Sequence, residues 1–174
     1  LEKMTAKIVA IAAMSENGFI GKNNALPWRV KGDWQFFLKQ SGGKPVVMGR
    51  KTFEAMGKPL AKSANIVITR NPGWTAKGTI VFQTLDAALE EAKKTALKDK
   101  AAEIVIGGGE EIYRQALPVT ERIYLTTIHC TVEGGDAKFP DFDKKNWLKI
   151  SEERFKAEPG DTADYTITVW DRKK

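Results

Sequence analysis

The segment Pro45-Val46-Val47-Met48-Gly49-Arg50-Lys51-Thr52 decides the fold class, because an apolar strand passes through a glycine into a helix. The strand half, 45–48, has no polar side chain for a solvent-facing side, which is typical of a strand covered on both faces. Similar short apolar runs occur at 8–14, 65–69, 79–82 and 103–106. Strands of this kind belong to parallel sheets covered by helices, so the pattern predicts an α/β fold.

Helix signals lie around these strands. Residues 51–56 run into Gly57 and Pro59, which end helices, and residues 84–94 begin with a threonine cap and end in lysines. Further helices are predicted at 30–38 and at 110–117, the second of which ends before a proline.

The last third of the chain has a different pattern. Residues 122–132, 147–155 and 165–170 are longer and more amphipathic, as antiparallel strands are, and glycine-bearing loops at 133–136 and 158–161 join them. We therefore predict one α/β domain over residues 4–174. Its central mixed sheet is largely parallel, is flanked by helices and ends in antiparallel C-terminal strands. Residues 1–3, which precede Met4, are interpreted as an expression remnant.

Composition narrows the function classes. With 174 residues, 42% hydrophobic and 29% charged, the chain resembles one ordinary soluble domain. It has no bilayer-spanning run and no signal-peptide pattern. Cys130 as the single cysteine predicts a reducing cytoplasm, and one neighbouring His129 gives no metal-ligand set, so no metal is expected. The net charge of +6 fits an anionic ligand, but the lysines are dispersed, which does not favour nucleic acid.

Asp33 is the most informative single residue. In a helix over 30–38, it falls within an arc that also contains Val30, Trp34, Phe36, Phe37 and Leu38. Such enclosure raises the pKa of a carboxyl group unless a charged partner is present, so the group can hold a proton near neutral pH. An alternative is that Asp33 only complements the helix dipole.

Two glycine turns predict anion binding. Gly49-Arg50-Lys51-Thr52 and Gly107-Gly108-Gly109-Glu110 each follow a strand and open a helix, where backbone N–H groups can face a phosphate. Two such turns on parallel strands favour one dinucleotide across the strand ends. Thr69-Arg70 ends another strand, and three cations suit an additional 2′-phosphate, which indicates NADPH over NADH. The loop at 17–28, which precedes the helix that contains Asp33, has an apolar tip and can act as a lid over the site.

These motifs together resemble the bacterial type of dihydrofolate reductase over residue 7 to the C-terminus. The matching residues, in family order and at near-family spacing, are Ala13, Ile20-Gly21, Leu26-Pro27-Trp28, Asp33, Phe37, 45–52, 57–60, 106–109, Tyr113, 124–126 and 139–140. The resemblance implies a dihydrofolate reductase-like fold with an adenosine-binding subdomain at about 44–101. It also implies NADPH-dependent reduction of 7,8-dihydrofolate to tetrahydrofolate, and antifolate inhibitors as ligands.

The resemblance also implies roles for individual residues. The catalytic set would be Asp33, Trp28, Thr126 and Leu26, with Asp33 binding the pterin and supporting protonation at N5. Substrate would contact Ile11, Ala12, Ala13, Asp33, Trp34, Phe37, Met56, Leu60, Ser63, Ile106, Tyr113 and Thr126. NADPH would contact Ala13, Ile20, Gly21, Asn24, Gly49, Arg50, Lys51, Thr52, Thr69, Arg70, Gly107, Gly108, Gly109, Glu110 and Tyr113. The family's cis glycine pair would be Gly107-Gly108 or Gly108-Gly109.

The sequence departs from the family pattern at several points, one of which is an additional glycine in the loop Gly134-Gly135-Asp136. Ser63 stands where the family places an arginine that clasps the folate glutamate tail, and serine cannot make that two-pronged contact. Lys58 and Lys62 are candidates for a looser substitute. Trp34 replaces a smaller aliphatic residue, and Glu110-Glu111 leaves the alignment of the glycine turn ambiguous by one residue.

Two other functions remain open at this level. Ser63 keeps open a reductase of a pterin or pyrimidine that lacks the glutamate tail. A basic nucleic-acid-binding domain would fit the charge and the five tryptophans, but it leaves Asp33 and both glycine turns unexplained. We expect a cytoplasmic monomer that binds small molecules and neither nucleic acid nor membrane.

Overall fold

The computed structural model describes residues 5–174, so the interpretation of residues 1–3 lies outside the described part. Within residues 5–174, ten strands and four α-helices make up the fold. The strands are β1 (Lys7–Ser15), β2 (Phe19–Gly21), β3 (Val46–Gly49), β4 (Asn65–Ile68), β5 (Thr79–Phe82), β6 (Glu103–Ile106), β7 (Arg122–Ile128), β8 (Ala137–Lys138), β9 (Trp147–Phe155) and β10 (Tyr165–Arg172). The helices are α1 (Lys31–Ser41), α2 (Arg50–Met56), α3 (Leu85–Asp99) and α4 (Glu110–Ala116), with a short 3-10 helix at Leu117–Val119.

Eight strands form one sheet in the order β5-β4-β3-β6-β1-β7-β10-β9. The strands from β5 to β7 run parallel, whereas β10 is antiparallel to both β7 and β9. The predicted fold class is therefore confirmed. It follows from the sequence because β3, β4 and β6 are almost fully buried and, apart from Asn65 and Glu103 at the start of β4 and β6, carry no polar side chain.

Helices cover both faces of this sheet. Alternate residues of β1 enter opposite layers: Ile8 and Ala10 pack with α3 and α4, while Val9 and Ile11 pack with α1 and α2. The alternation follows from the period of two in a strand. No helix within residues 5–174 is long and apolar enough to cross a membrane.

Several predicted boundaries were wrong. The helix predicted at 30–38 spans Lys31–Ser41, and the one predicted at 84–94 continues to Asp99. The strand predicted at 122–132 stops at Ile128, because the chain turns there and the Cys130 carbonyl accepts a hydrogen bond from Glu16 N–H. Strands β2 and β8 were missed, since each is only two or three residues long.

The two glycine-bearing loops also differ in what they join. Residues 158–161 lie between β9 and β10, as predicted. Residues 133–136 lead from β7 to β8 and not to the next long strand, so this loop supports the small β2–β8 sheet.

Candidate functional site

Most of the predicted site residues lie at one edge of the large sheet. Strands β1, β3, β4 and β6 are parallel, so their carboxyl ends lie together, and these ends carry the segments that follow Met14, Met48, Ile68 and Ile106. Ligands of open α/β sheets bind at this edge. The N-terminal turn of α1 brings Asp33 to the same place.

Asp33 is the third residue of α1, and its carboxyl group is largely buried although the residue retains some exposure to the cavity described below. Burial raises its pKa from 3.8 to about 6, and the nearby Thr126 side chain opposes part of that rise. Thr126 is 1% exposed and comes from β7, so two predicted catalytic residues meet across a helix and a strand. The carboxyl group can therefore be protonated or ionised near neutral pH.

Tyr113 joins the site from α4. Its hydroxyl group donates a hydrogen bond of 2.6 Å to the carbonyl oxygen of Ile11 in β1. Burial and the nearby Asp33 charge both raise the pKa of Tyr113, so the phenol stays protonated and remains a donor. This contact fixes the glycine turn before α4 against the strand that carries Ala13.

Trp28 forms another wall of the site. It is 5% exposed, and its Nε1 is the one buried side-chain nitrogen or oxygen in residues 5–174 without a hydrogen-bond partner. Trp28, Asp33 and Leu26 line one cavity of about 410 Å³. An unpartnered buried donor is costly, so a water or ligand acceptor is expected there.

The prediction that an apolar arc of α1 encloses Asp33 was partly wrong. Trp34 is 44% and Leu38 is 42% exposed, so neither side chain forms a buried wall around Asp33. Trp34 instead stacks on Phe37, with ring centroids 5.5 Å apart and an interplanar angle of 15°. The groups that face the Asp33 carboxyl group include Thr126 and Tyr113, which lie on other elements.

The remaining predicted substrate residues fall into three packing clusters. Ile11, Phe37, Met56 and Leu60 share one cluster beside α1 and α2. Ala12 and Ile106 pack in the cluster on the opposite face of the sheet, and Ala13 packs with Trp28. Ser63 lies beside the end of α1, where its hydroxyl group donates a 2.9 Å hydrogen bond to Ser41 O.

The two glycine turns predicted to bind anions are in contact. Gly49 N–H donates to Gly108 O at 2.8 Å, and a Cβ at Gly109 would lie 3.3 Å from Thr52 Oγ1. The Gly108–Gly109 peptide is cis, which resolves the register that the sequence left open. Gly108 has φ +106°, a conformation that favours glycine.

The predicted cations lie around these turns. Arg50 opens α2 directly after Gly49, and Lys51 and Arg70 have exposed side chains. Thr69 is 8% exposed, and its hydroxyl group accepts a hydrogen bond from Asn71 N–H. The donor set of backbone amides and cations fits a dinucleotide that carries several phosphates.

Glu110 makes contacts that the sequence did not predict. One carboxylate oxygen accepts a 2.7 Å hydrogen bond from Lys138 N–H of β8, and the other pairs with Arg114. Its side chain therefore connects the glycine turn to the small sheet, and only its backbone is left to face a cofactor.

The predicted lid is anchored by that small sheet. Strand β2, which contains Ile20 and Gly21, pairs with β8, and Asn23 N–H donates to Asp136 Oδ2 at 2.9 Å. Asn24 has φ 59°, and Leu26 is 57% exposed. The Leu26 side chain therefore remains free to cover a bound ligand.

Sequence reasoning missed several residues of the cavity beside Asp33. Its lining includes Arg29, Lys31, Pro159, Gly160 and Asp161. The last three belong to the loop between β9 and β10, which the sequence pattern indicates only as a connection. No local signal indicates this placement, because it depends on a contact between segments 130 residues apart.

Comparisons with known proteins agree with this geometry. A family model described as dihydrofolate reductase matches residues 7–172. Dihydrofolate reductase type 3 of Salmonella typhimurium is 43% identical over 143 residues, covering 82% of this chain and 84% of that protein. Dihydrofolate reductase of Bacillus subtilis is 36% identical over 163 residues, covering 94% and 93%.

A solved structure shares the fold. Dihydrofolate reductase from Enterococcus faecalis, complexed with NADP(H) and RAB-propyl, superimposes with a TM-score of 0.86 at 32% identity and 97% coverage of both chains. The family match, the identities over most of the chain and this structural similarity confirm the predicted resemblance. The chain belongs to the dihydrofolate reductase family.

Proposed function

We propose that Asp33 is the proton-handling residue of a dihydrofolate reductase. The chain reduces 7,8-dihydrofolate to 5,6,7,8-tetrahydrofolate with NADPH, so that a hydride reaches C6 and a proton reaches N5. This activity and this cofactor agree with the family match and with the NADP(H) complex of the structural relative.

The proposal rests on the position of Asp33, whose carboxyl group is largely buried at the ligand-binding edge of the sheet, where burial raises its pKa to about 6. An acid with a pKa near the working pH can donate a hydrogen bond or a proton in one form and accept in the other. In the proposed complex, Asp33 binds the pterin 2-amino group and N3. Thr126 holds the carboxyl group, and the unpartnered Nε1 of Trp28 holds a water beside it.

The lid and the inner walls complete the substrate site in this proposal. Leu26 closes over the pterin, and the exposed Trp34 extends the contact surface towards the aminobenzoyl ring. Closure removes water, which strengthens polar interactions with Asp33. The proposed lining residues are Ile11, Ala12, Ala13, Phe37, Met56, Leu60, Ile106 and Tyr113.

The cofactor half fits NADPH. A Cβ at Gly108 would lie 3.0 Å from the Tyr113 ring, so only glycine leaves this turn open, and the cations at Arg50, Lys51 and Arg70 match a third phosphate. When bound, NADPH supplies the hydride. The residues proposed to hold it are Ala13, Ile20, Gly21, Asn24, Gly49, Arg50, Lys51, Thr52, Thr69, Arg70, Gly107, Gly108, Gly109, Glu110 and Tyr113.

Residue 63 provides no cation to bind the glutamate tail of folate. Serine carries no charge, and the Ser63 hydroxyl group already donates its hydrogen bond to Ser41 O. Lys58 and Lys62 are the proposed substitutes, but an ammonium group is flexible and strongly hydrated. This observation favours the second candidate, reduction of a pterin or pyrimidine without the tail.

Further proposals concern organisation. Residues 4–174 act as one domain, with an adenosine-binding subdomain at about 44–101. We also propose a cytoplasmic monomer that is inhibited by antifolates and binds no nucleic acid.

The decrease of NADPH absorbance distinguishes the two candidate substrates. Dihydrofolate and a dihydropterin without the tail should be compared at equal concentrations. Faster turnover of dihydrofolate supports the first candidate, whereas turnover of the tail-less pterin alone contradicts it.

A further inference from the structure

The first turn of α1 lacks a cap of its own. Val30 occupies the N-cap position and makes no side-chain hydrogen bond to the helix. Instead, Asp161 Oδ1 accepts a 3.0 Å hydrogen bond from Lys31 N–H, although the two residues are 130 positions apart. Asp161 Oδ2 accepts a 2.9 Å hydrogen bond from Glu158 N–H, which orients the carboxylate. A distant loop therefore supplies the helix cap.

Neighbouring contacts hold that loop against the start of α1. Thr162 N–H donates to Arg29 O at 2.8 Å, and Arg29 N–H donates to Thr162 Oγ1 at 3.1 Å. Gly32 packs closely against Tyr165 of β10, because a Cβ at Gly32 would lie 2.0 Å from the Tyr165 hydroxyl oxygen. The loop and β10 thus contact Arg29, Lys31 and Gly32, which lie just before Asp33 in the chain.

Asp161 and Asp33 also share a wall of the same cavity of about 410 Å³. Lys31, which Asp161 caps, is two residues before Asp33 in the same helical turn. A displacement of this turn would move Asp33 relative to Thr126 on β7. The contact to Lys31 is therefore connected to the reacting carboxyl group through one turn of helix.

We infer that Asp161 is a positioning residue, whose carboxylate holds the first turn of α1 where Asp33 remains enclosed. This inference rests on the proposed role of Asp33. Asp161 acts through α1 and does not itself touch the substrate.

The charge on Asp161 acts in the same direction as its hydrogen bond. Hydrogen bonds from Lys31 and Glu158 N–H lower the pKa of Asp161, so it is ionised at neutral pH. Other titratable groups around Asp33 are Tyr113 on α4 and Tyr165 on β10, while Arg29 and Lys31 line the shared cavity. Removal of Asp161 would take away a negative charge and loosen the turn, and both changes favour ionised Asp33.

The test compares Asp161→Ala with Asp164→Ala in the full-length protein. Asp164 is a matched control from the same loop, because its carboxylate accepts a 2.7 Å hydrogen bond from Ala157 N–H and pairs with Arg154. Within residues 5–174, its side chain makes no hydrogen bond to α1. The Asp33 carboxyl group is titrated by ¹³C NMR, and the pH dependence of turnover is measured in parallel.

We expect Asp161→Ala to lower the Asp33 midpoint by about half a pH unit in both measurements, the size expected for a charge at a helix terminus. Asp161→Asn keeps an acceptor for Lys31 N–H and should shift the midpoint less. Asp164→Ala should leave the midpoint unchanged even if it lowers the melting temperature.

An unchanged NMR midpoint in Asp161→Ala, or an equal shift in Asp164→Ala, would overturn the inference. A shifted NMR midpoint with an unchanged turnover profile would retain the positioning of Asp33 and contradict its proposed role in the reaction. The two failures are therefore distinguishable.

Discussion

The proposed substrate half and the proposed cofactor half of the site differ in how far their polar groups are exposed to solvent. In the substrate half, Asp33 is enclosed, and its neighbours Thr126 and Tyr113 are buried. In the cofactor half, Lys51 and Arg70 are exposed, and backbone amides form the turns. Removal of a buried polar group costs much binding or catalytic free energy, because no solvent takes its place. Solvated charges contribute small free energies that decrease as salt is added.

The largest contrast should come from Asp33→Asn. We expect the variant to fold and bind NADPH but to lose turnover by about 100-fold or more, because the amide cannot exchange the proton. The loss should be greatest at high pH, where external protons are scarce. Steady-state rates from acidic to alkaline pH and NADPH fluorescence titrations measure both properties.

Asp86→Asn is the matched control, since Asp86 is also an acid in the first turn of a helix but is exposed. It should retain the parent rate. Turnover of Asp33→Asn at the parent rate across neutral pH would show that Asp33 is structural.

The same carboxyl group should make stability depend on pH. Its pKa is about 6 in the folded protein, against an ordinary value of 3.8 that applies to the unfolded chain, so the folded state binds more protons between these values. The free energy of unfolding should therefore fall as pH rises from about 4 to about 6, by about 3 kcal/mol, and then level off.

Urea unfolding below, within and above this pH range tests the dependence. Asp33→Asn should lose it and be more stable than the parent at alkaline pH, while Asp86→Asn should follow the parent. If the parent and Asp33→Asn respond equally to pH, the pKa of Asp33 is not raised by folding, and its carboxyl group is as solvated as the charges of the cofactor half.

In the cofactor half, Arg50→Gln should weaken NADPH by about tenfold and NADH much less, because only NADPH has a phosphate for the guanidinium group to pair with. The difference should shrink in high salt. Lys93→Gln is the charge-matched control, since Lys93 lies on α3 and pairs loosely with Glu90 at 3.8 Å. Equal losses for both cofactors would assign Arg50 to the pyrophosphate or to the fold.

The smallest effect should come from the rim of the substrate half. Ser63→Arg should tighten dihydrofolate and methotrexate-like ligands by up to about tenfold, since a charge-assisted contact contributes about 1.5–3 kcal/mol and part of it is offset. Trimethoprim-like ligands, which lack the tail, should change little. The variant also loses the hydrogen bond to Ser41 O, which typically contributes about 1 kcal/mol to stability.

Ser63→Ala removes that hydrogen bond without adding charge, so it separates stability from tail binding. If Ser63→Arg tightens neither ligand class, another cation already holds the tail or the natural substrate has none. Turnover of a tail-less pterin in the same assay distinguishes these cases.

The sequence by itself determined the sheet, the glycine turns and the identity of the proton-handling candidate. Strands such as β5, β6 and β9 were located to the residue, because continuous or alternating hydrophobicity is a local property. The motifs also identified the family, because their order and spacing along the chain are visible in the sequence.

Only the tertiary structure decided how those residues act. The enclosure of Asp33 comes from β7 and α4, and the outward Trp34 and Leu38 contradict the helical arc inferred from spacing. The hydrogen bond between Tyr113 and Ile11 joins residues 102 positions apart, and the cap from Asp161 spans 130. Burial and pKa depend on all the neighbours of a group in space, and chain order specifies only those next to it in sequence.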